Sequence, residues 1–127
     1  MSTMKIPNGH QTIMPYLMLE SSEKFIDFTT KVFDAEVMFK KMRDDTDVVM
    51  HSEIQIGGST IMFCDSTDKW KTETANLFVY VDNADETYQK ALLEGAITIM
   101  EPADQDYGRS CGVTDPSGNV WWITSVK

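Results

Sequence analysis

Residues Val49 to Asp65 read VMHSEIQIGGSTIMFCD, two runs of strand-forming residues joined by Gly57-Gly58. A Gly-Gly pair tolerates the positive backbone dihedrals of a two-residue hairpin turn, so the spacing predicts antiparallel strands over Val48–Ile56 and Ser59–Cys64. In the first run His51, Glu53 and Gln55 alternate with Met50, Ser52, Ile54 and Ile56. Alternation puts a polar set and a mostly apolar set on opposite faces of a sheet.

Upstream, Asp44-Asp45-Thr46-Asp47 separates the hairpin from a further strand, Glu36–Arg43. Before that strand, Phe25, Phe28, Val32 and Phe33 recur at helical spacing, with Ser21 or Ser22 as the N-cap and an end near Asp34 and Ala35. Ahead of the helix, Thr12–Glu20 carries Ile13, Tyr16, Leu17, Met18 and Leu19. So continuous an apolar run predicts a strand buried on both faces. Residues 13–65 therefore read strand, helix, three strands.

A polar linker, residues 66–74, has only Trp70 as an apolar residue, and the order then repeats over residues 75–126. Asn76–Val81 predicts a strand. Asp82 or Asn83 caps a helix with Tyr88, Ala91 and Leu92 on one face and Gly95 at its end. Ala96–Met100 predicts a strand stopped by Pro102, Cys111–Thr114 another, and the turn Asp115-Pro116-Ser117-Gly118 leads into Asn119–Val126, with Asp115 capping the turn. Leu19 maps to Val81 at an offset of 62, and Val32 to Leu92 and Gly58 to Gly118 at 60. An offset this steady over the chain indicates a duplicated βαβββ unit in one α+β domain.

At 127 residues and 42% hydrophobic, the chain suits one core. No apolar stretch approaches the roughly 20 residues of a membrane span. A net charge of −9 with only eleven Lys and Arg excludes nucleic acid as an expected partner. Residues 1–12 lack the apolar segment of a signal peptide and read as a flexible leader, His10 included, which has no expected role. Cys64 and Cys111 form no motif and read as free, inert thiols in a reducing, cytoplasmic compartment.

Four stretches carry a resemblance: PYLMLESSEKFIDF (Pro15 to Phe28), VMHSEIQIGGSTIMFCD, VYVDNADE (Val79 to Glu86) and YGRSCGVTDPSGNVWWIT (Tyr107 to Thr124). Their order and spacing resemble the vicinal-oxygen-chelate superfamily, within it the PhnB-like branch of glyoxalase and bleomycin-resistance proteins. The resemblance implies tandem βαβββ modules forming a curved mixed sheet around a cavity, a homodimer, and a metal held from the first and last strand of each module. The metal positions fall at Met14, Met62, Asn76 and Trp122. Divalent metals take nitrogen, thiolate or hard oxygen donors, which Met and Trp do not supply and an amide supplies weakly, so no metal or other cofactor is expected.

Strand alternation then points Tyr16, Met18, Thr60, Met62, Cys64, Phe78, Tyr80, Trp122 and Thr124 into the cavity, with the polar face of His51 and Glu53 beside them. The resemblance places Tyr107 and Arg109 at its mouth, where Arg109 would meet an anionic group. Such a lining, rich in methionine and aromatic rings, suits a small, partly apolar molecule. Three functions remain: metal-free binding of that molecule, with Tyr16, Met18, Met62, Phe78, Tyr80, Tyr107, Arg109 and Trp122 as contacts; an enzyme (lyase, isomerase or dioxygenase) using His51 and Glu53 as proton carriers or a metal at other positions; or a dimeric interaction module without pocket chemistry. No Gly-rich strand-to-helix turn supports the methyltransferase label attached to some PhnB-like sequences.

Overall fold

A computed structural model describes residues 4–126. Its elements are β1 (Tyr16–Leu19), α1 (Ser22–Phe33), β2 (Glu36–Met42), β3 (Val49–Ile56), β4 (Ser59–Asp65), β5 (Asn76–Tyr80), α2 (Ala84–Leu93), β6 (Ile97–Gln105), β7 (Gly108–Thr114) and β8 (Val120–Ser125). Each module builds its own four-stranded mixed sheet, in the orders β1-β4-β3-β2 and β5-β8-β7-β6. The duplication extends to register. Tyr16 pairs with Met62 in the parallel β1–β4 ladder as Phe78 pairs with Trp122 in β5–β8. β2 shifts register between Val37 and Phe39, and β6 does so 61 residues on, between Thr98 and Met100.

Local chemistry sets the helix limits. The Lys24 amide donates to the Ser21 hydroxyl at 3.3 Å, and Asp34 ends α1 in the left-handed region at φ 55°. The Glu86 amide donates to the Asn83 side chain at 3.0 Å, and Gly95 takes φ 97° just after α2. Two side chains tie helix starts to the last strands: the Ser22 amide donates to Asp65 at 2.7 Å, and the Ala84 amide to the Ser125 hydroxyl at 3.1 Å. These pairs again sit 62 and 60 residues apart.

The helices share one core with the inner faces of both sheets. Phe25 meets Phe63 edge-on with centroids 4.9 Å apart, and Phe33 lies 4.6 Å from Trp121. Asp115 organises the last turn from a buried position. Its carboxylate accepts from the Ser117 and Asn119 amides, the Asn119 side chain and the Trp121 indole N–H. Among the described residues no helix is long and apolar enough to cross a membrane.

Several expectations are corrected. β1 starts at Tyr16, four residues later than expected, and its burial alternates: Leu17 and Leu19 enter the core, while Tyr16 and Met18 face the other way. β6 does not stop at Pro102 but runs to Gln105, because the register shift between Met100 and Ala103 spares the proline a ladder hydrogen bond on this edge strand. β7 starts at Gly108 rather than Cys111, after a two-residue turn at Asp106-Tyr107.

The leader is not loose where it is described after Ile6. The Gln11 side chain donates to the Thr60 carbonyl at 2.8 Å and accepts from the Thr60 amide at 3.3 Å. It thereby serves the edge of β4 that a longer β1 would have paired. Gly9 accepts from the Gln55 side chain and the Thr60 hydroxyl. Residues 1–3 of the leader lie outside the described residues.

Candidate functional site

The face of the first sheet turned away from the helices carries a chain of hydrogen bonds. Tyr16 Oη lies 3.2 Å from His51 Nδ1, His51 Nε2 lies 2.9 Å from Glu53 Oε2, and Glu53 Oε1 lies 2.7 Å from His10 Nε2. Both histidines thus converge on one carboxylate, and His10 has a partner that its place in the leader gave no reason to expect. An ionised carboxylate only accepts, so both imidazoles donate from Nε2, and in its neutral form His51 has Nδ1 left to accept from the Tyr16 hydroxyl. Burial pushes the Glu53 carboxyl up, but the hydrogen bonds and charges of His10 and His51 outweigh it and hold it below its ordinary value. The arrangement can pass a proton between Tyr16 and His51, with Glu53 orienting the imidazole.

Two hollows flank this chain. One, of about 470 Å3, is lined by Tyr16, Met18, Arg43, Met50, Cys64 and Trp70. Met50 lies there because β3 carries an extra residue where Lys41 pairs with His51 and Met42 with Val49; alternation had placed it on the opposite face. The other, of about 410 Å3, lies under the leader, between Asn8, Gly9 and His10 and the side chains of Met38, Phe39, His51, Glu53, Gln55 and Thr60. Partial burial raises the Tyr16 phenol and the Cys64 thiol above their ordinary values. Cys111 is pushed up to about 11 by burial in the core, and both cysteines are free.

The corresponding face of the second sheet is aromatic and open. Phe78 is 50% exposed, Tyr80 68% and Tyr107 56%, and the Phe78 ring contacts both tyrosines. Beneath them the Trp122 indole lies across Gly112 and donates from Nε1 to Asn76 Oδ1 at 3.3 Å. Thr124, expected in the lining, is fully buried and bonded to Ser110. A third hollow, again about 470 Å3, joins the modules between Ile13, Ser59 and Ile61 on one side and Leu77, Tyr80 and Trp121 on the other. The expected contact residues are therefore divided: Tyr16 and Met18 line one hollow, Phe78 and Tyr80 another, and Met62, Tyr107 and Trp122 none of the three.

Arg109 is removed from the candidate contacts. Its neighbours Ser110 and Cys111 alternate across β7, which turns Arg109 toward α2. There Nε and Nη2 grip the Asp85 carboxylate at 2.6 and 3.1 Å, and Nη1 reaches Asp104 at 3.4 Å. These partners raise its already high pKa further.

The four residues that the resemblance assigns to a metal offer it poor donors. Met14 lies before β1, where its sulfur accepts from the Gln11 amide at 3.4 Å. Met62 offers only a thioether, and the amide oxygen of Asn76 is already engaged by Trp122. Among the described residues no three His, Cys, Asp or Glu side chains are grouped to hold an ion.

Residues 13–123 match the sequence profile of the Glyoxalase/Bleomycin resistance protein/Dioxygenase superfamily. The chain belongs to that superfamily. Uncharacterized protein Rv0887c of Mycobacterium tuberculosis is 30% identical over 126 residues, covering 90% of this chain and 74% of that protein. Among solved structures, a PhnB protein from Bacillus cereus, titled a putative 3-demethylubiquinone-9 3-methyltransferase, superposes with a TM-score of 0.70. Its identity is 19%, covering 91% of this chain and 100% of that one. TnmS3, titled an antibiotic binding protein from Streptomyces sp. CB03234, gives 0.69 at 16% identity, covering 93% and 100%. At these identities the likeness to the solved structures establishes the fold.

Proposed function

We propose that this superfamily member binds a small, partly apolar organic molecule without a metal, on the open sheet faces, as a cytoplasmic homodimer whose second copy covers those faces. The observation that carries the reading is the side-chain set at the family metal positions: Met14, Met62, Asn76 and Trp122 replace nitrogen and carboxylate donors, and the last two are bonded to each other. Flat apolar surface takes their place, with Tyr16, Phe78, Tyr80 and Tyr107 each more than two-fifths exposed on the same faces. Rings left this open are what an organic ligand or a second copy would cover. TnmS3, an antibiotic binding protein on the same fold, supports a binding role.

Native mass spectrometry of protein purified without chelators, paired with elemental analysis, tests the reading. A dimer carrying an organic molecule and substoichiometric metal is the expected result; one divalent ion per chain overturns it.

The bonded array Tyr16–His51–Glu53 favours a second reading, an enzyme that moves a proton on the bound molecule. It requires that wild-type protein convert the copurified molecule and that His51→Gln bind it unchanged without converting it.

A further inference from the structure

We propose that the molecule held on the first module is a flat aromatic anion, its ring against Trp70, Tyr16 and Met50 and its charged group on Arg43. The inference rests on the binding role proposed above and adds the chemical class of the ligand. Arg43 is the only residue lining this hollow that is charged at neutral pH, because the raised Tyr16 phenol and Cys64 thiol both stay protonated there.

The chain's two arginines contrast sharply. Arg109 is held by Asp85 and Asp104, whereas the Arg43 guanidinium has no hydrogen-bond or ion-pair partner among the described residues, although Asp44, Asp45 and Asp47 follow it directly. Its backbone is nonetheless fixed. The Arg43 amide donates to the Val48 carbonyl at 2.7 Å, and its carbonyl accepts from the Thr46 amide at 3.0 Å. A planar guanidinium with free donors on a fixed base matches the paired oxygens of a carboxylate, sulfonate or phosphate.

The opposite wall is built by the linker. Met18 and Glu73 exchange two backbone hydrogen bonds, of 3.0 and 2.8 Å, which pin the end of the linker to β1. Within it, the Thr67 amide donates to the Trp70 carbonyl at 2.7 Å, and the Trp70 amide to the Thr67 hydroxyl at 2.9 Å. This closed loop sets the indole, 51% exposed, at the rim of the hollow. A shallower hollow shares Arg43 and Trp70 and adds Lys69 and Asp68, and the Lys69 ammonium lies 5.2 Å from the centroid of the Trp70 ring, a second positive charge on the same side as Arg43. A volume of about 470 Å3 admits a two-ring molecule.

The test uses the full chain and two probes of one shape, 2-naphthoate and 2-naphthalenemethanol, titrated calorimetrically. Wild type should bind the anion about tenfold more tightly than the alcohol, as expected for one charge-assisted contact. Arg43→Met should abolish the preference for the anion over the alcohol, Arg43→Lys should restore part of it, and Trp70→Ala should weaken both probes. Arg43 and Trp70 are exposed, and an unchanged thermal midpoint certifies each variant as folded. Equal binding of the two probes by wild type, or an undiminished preference in Arg43→Met, overturns the anion assignment while leaving a binding protein for neutral molecules. Binding of neither probe overturns it as well, and the copurified molecule then judges the binding role alone.

Discussion

The indole of Trp122 occupies the space that a side chain on Gly112 would need: a Cβ there would lie 2.4 Å from Cζ3 and 2.7 Å from Cε3 of the ring. The residues are paired across β7 and β8, and the ring leans on to Asn76, so three strands of the second sheet share one aromatic floor. Gly112→Ala should push the ring off that floor and break the bond to Asn76. A loss of about 1–3 kcal/mol in urea unfolding is expected, the usual cost of overpacking. The Trp122→Ala background should remove most of it, and an undiminished loss there would locate the strain elsewhere.

Glu53 makes stability depend on pH in one direction. Its folded pKa lies below the ordinary 4.5, so the unfolded chain takes up the proton first as pH falls. The contribution is complete above about pH 4.5 and is lost as pH falls through the lower folded value. Wild type should therefore exceed Glu53→Gln in urea midpoint near neutral pH, with the gap closing below pH 4.5. A gap constant down to pH 3 would show that His10 and His51 do not hold the ionised carboxylate.

The duplicated architecture was legible because it rests on patterns the backbone enforces: helical spacing through Phe25, Phe28 and Val32, caps at Ser21 and Asn83, and glycines at the hairpin turns. What escaped depends on contacts distant in sequence. The apolar run from Ile13 to Leu19 looked like a doubly buried strand, yet Gln11 takes over the edge of β4 before Met62, and β1 is left short. Met50 changed faces because of a single extra residue in β3, which no local pattern announces. The partnership of His10 with Glu53 spans 43 positions. Arg109 could have been read correctly, since alternation from buried Cys111 already turns it toward α2, where Asp85 waits.

The leader should behave as a strap held at two points, His10 on Glu53 and Gln11 on Thr60. Hydrogen exchange at the Thr60 amide reads both, since that amide donates to Gln11. Gln11→Ala should accelerate it most, because the acceptor itself is removed, and His10→Ala should do so by a smaller factor by loosening the strap. Unchanged exchange in both variants would mean that the leader leaves this edge unprotected in solution.

The duplication also predicts a stabilising substitution. Ser22 is fully buried at the start of α1, and its hydroxyl has no hydrogen-bond partner among the described residues. Its counterpart 62 residues on is Ala84, equally buried, and both backbone amides keep their bond to the last strand of their module, to Asp65 and to Ser125. The second module thus performs the same join without the hydroxyl. Burying an unpaired hydroxyl costs about 1–3 kcal/mol, and alanine has the higher intrinsic helix propensity. Ser22→Ala should therefore raise the urea unfolding free energy by about 1 kcal/mol, and a decrease would mean that the hydroxyl has a partner in solution.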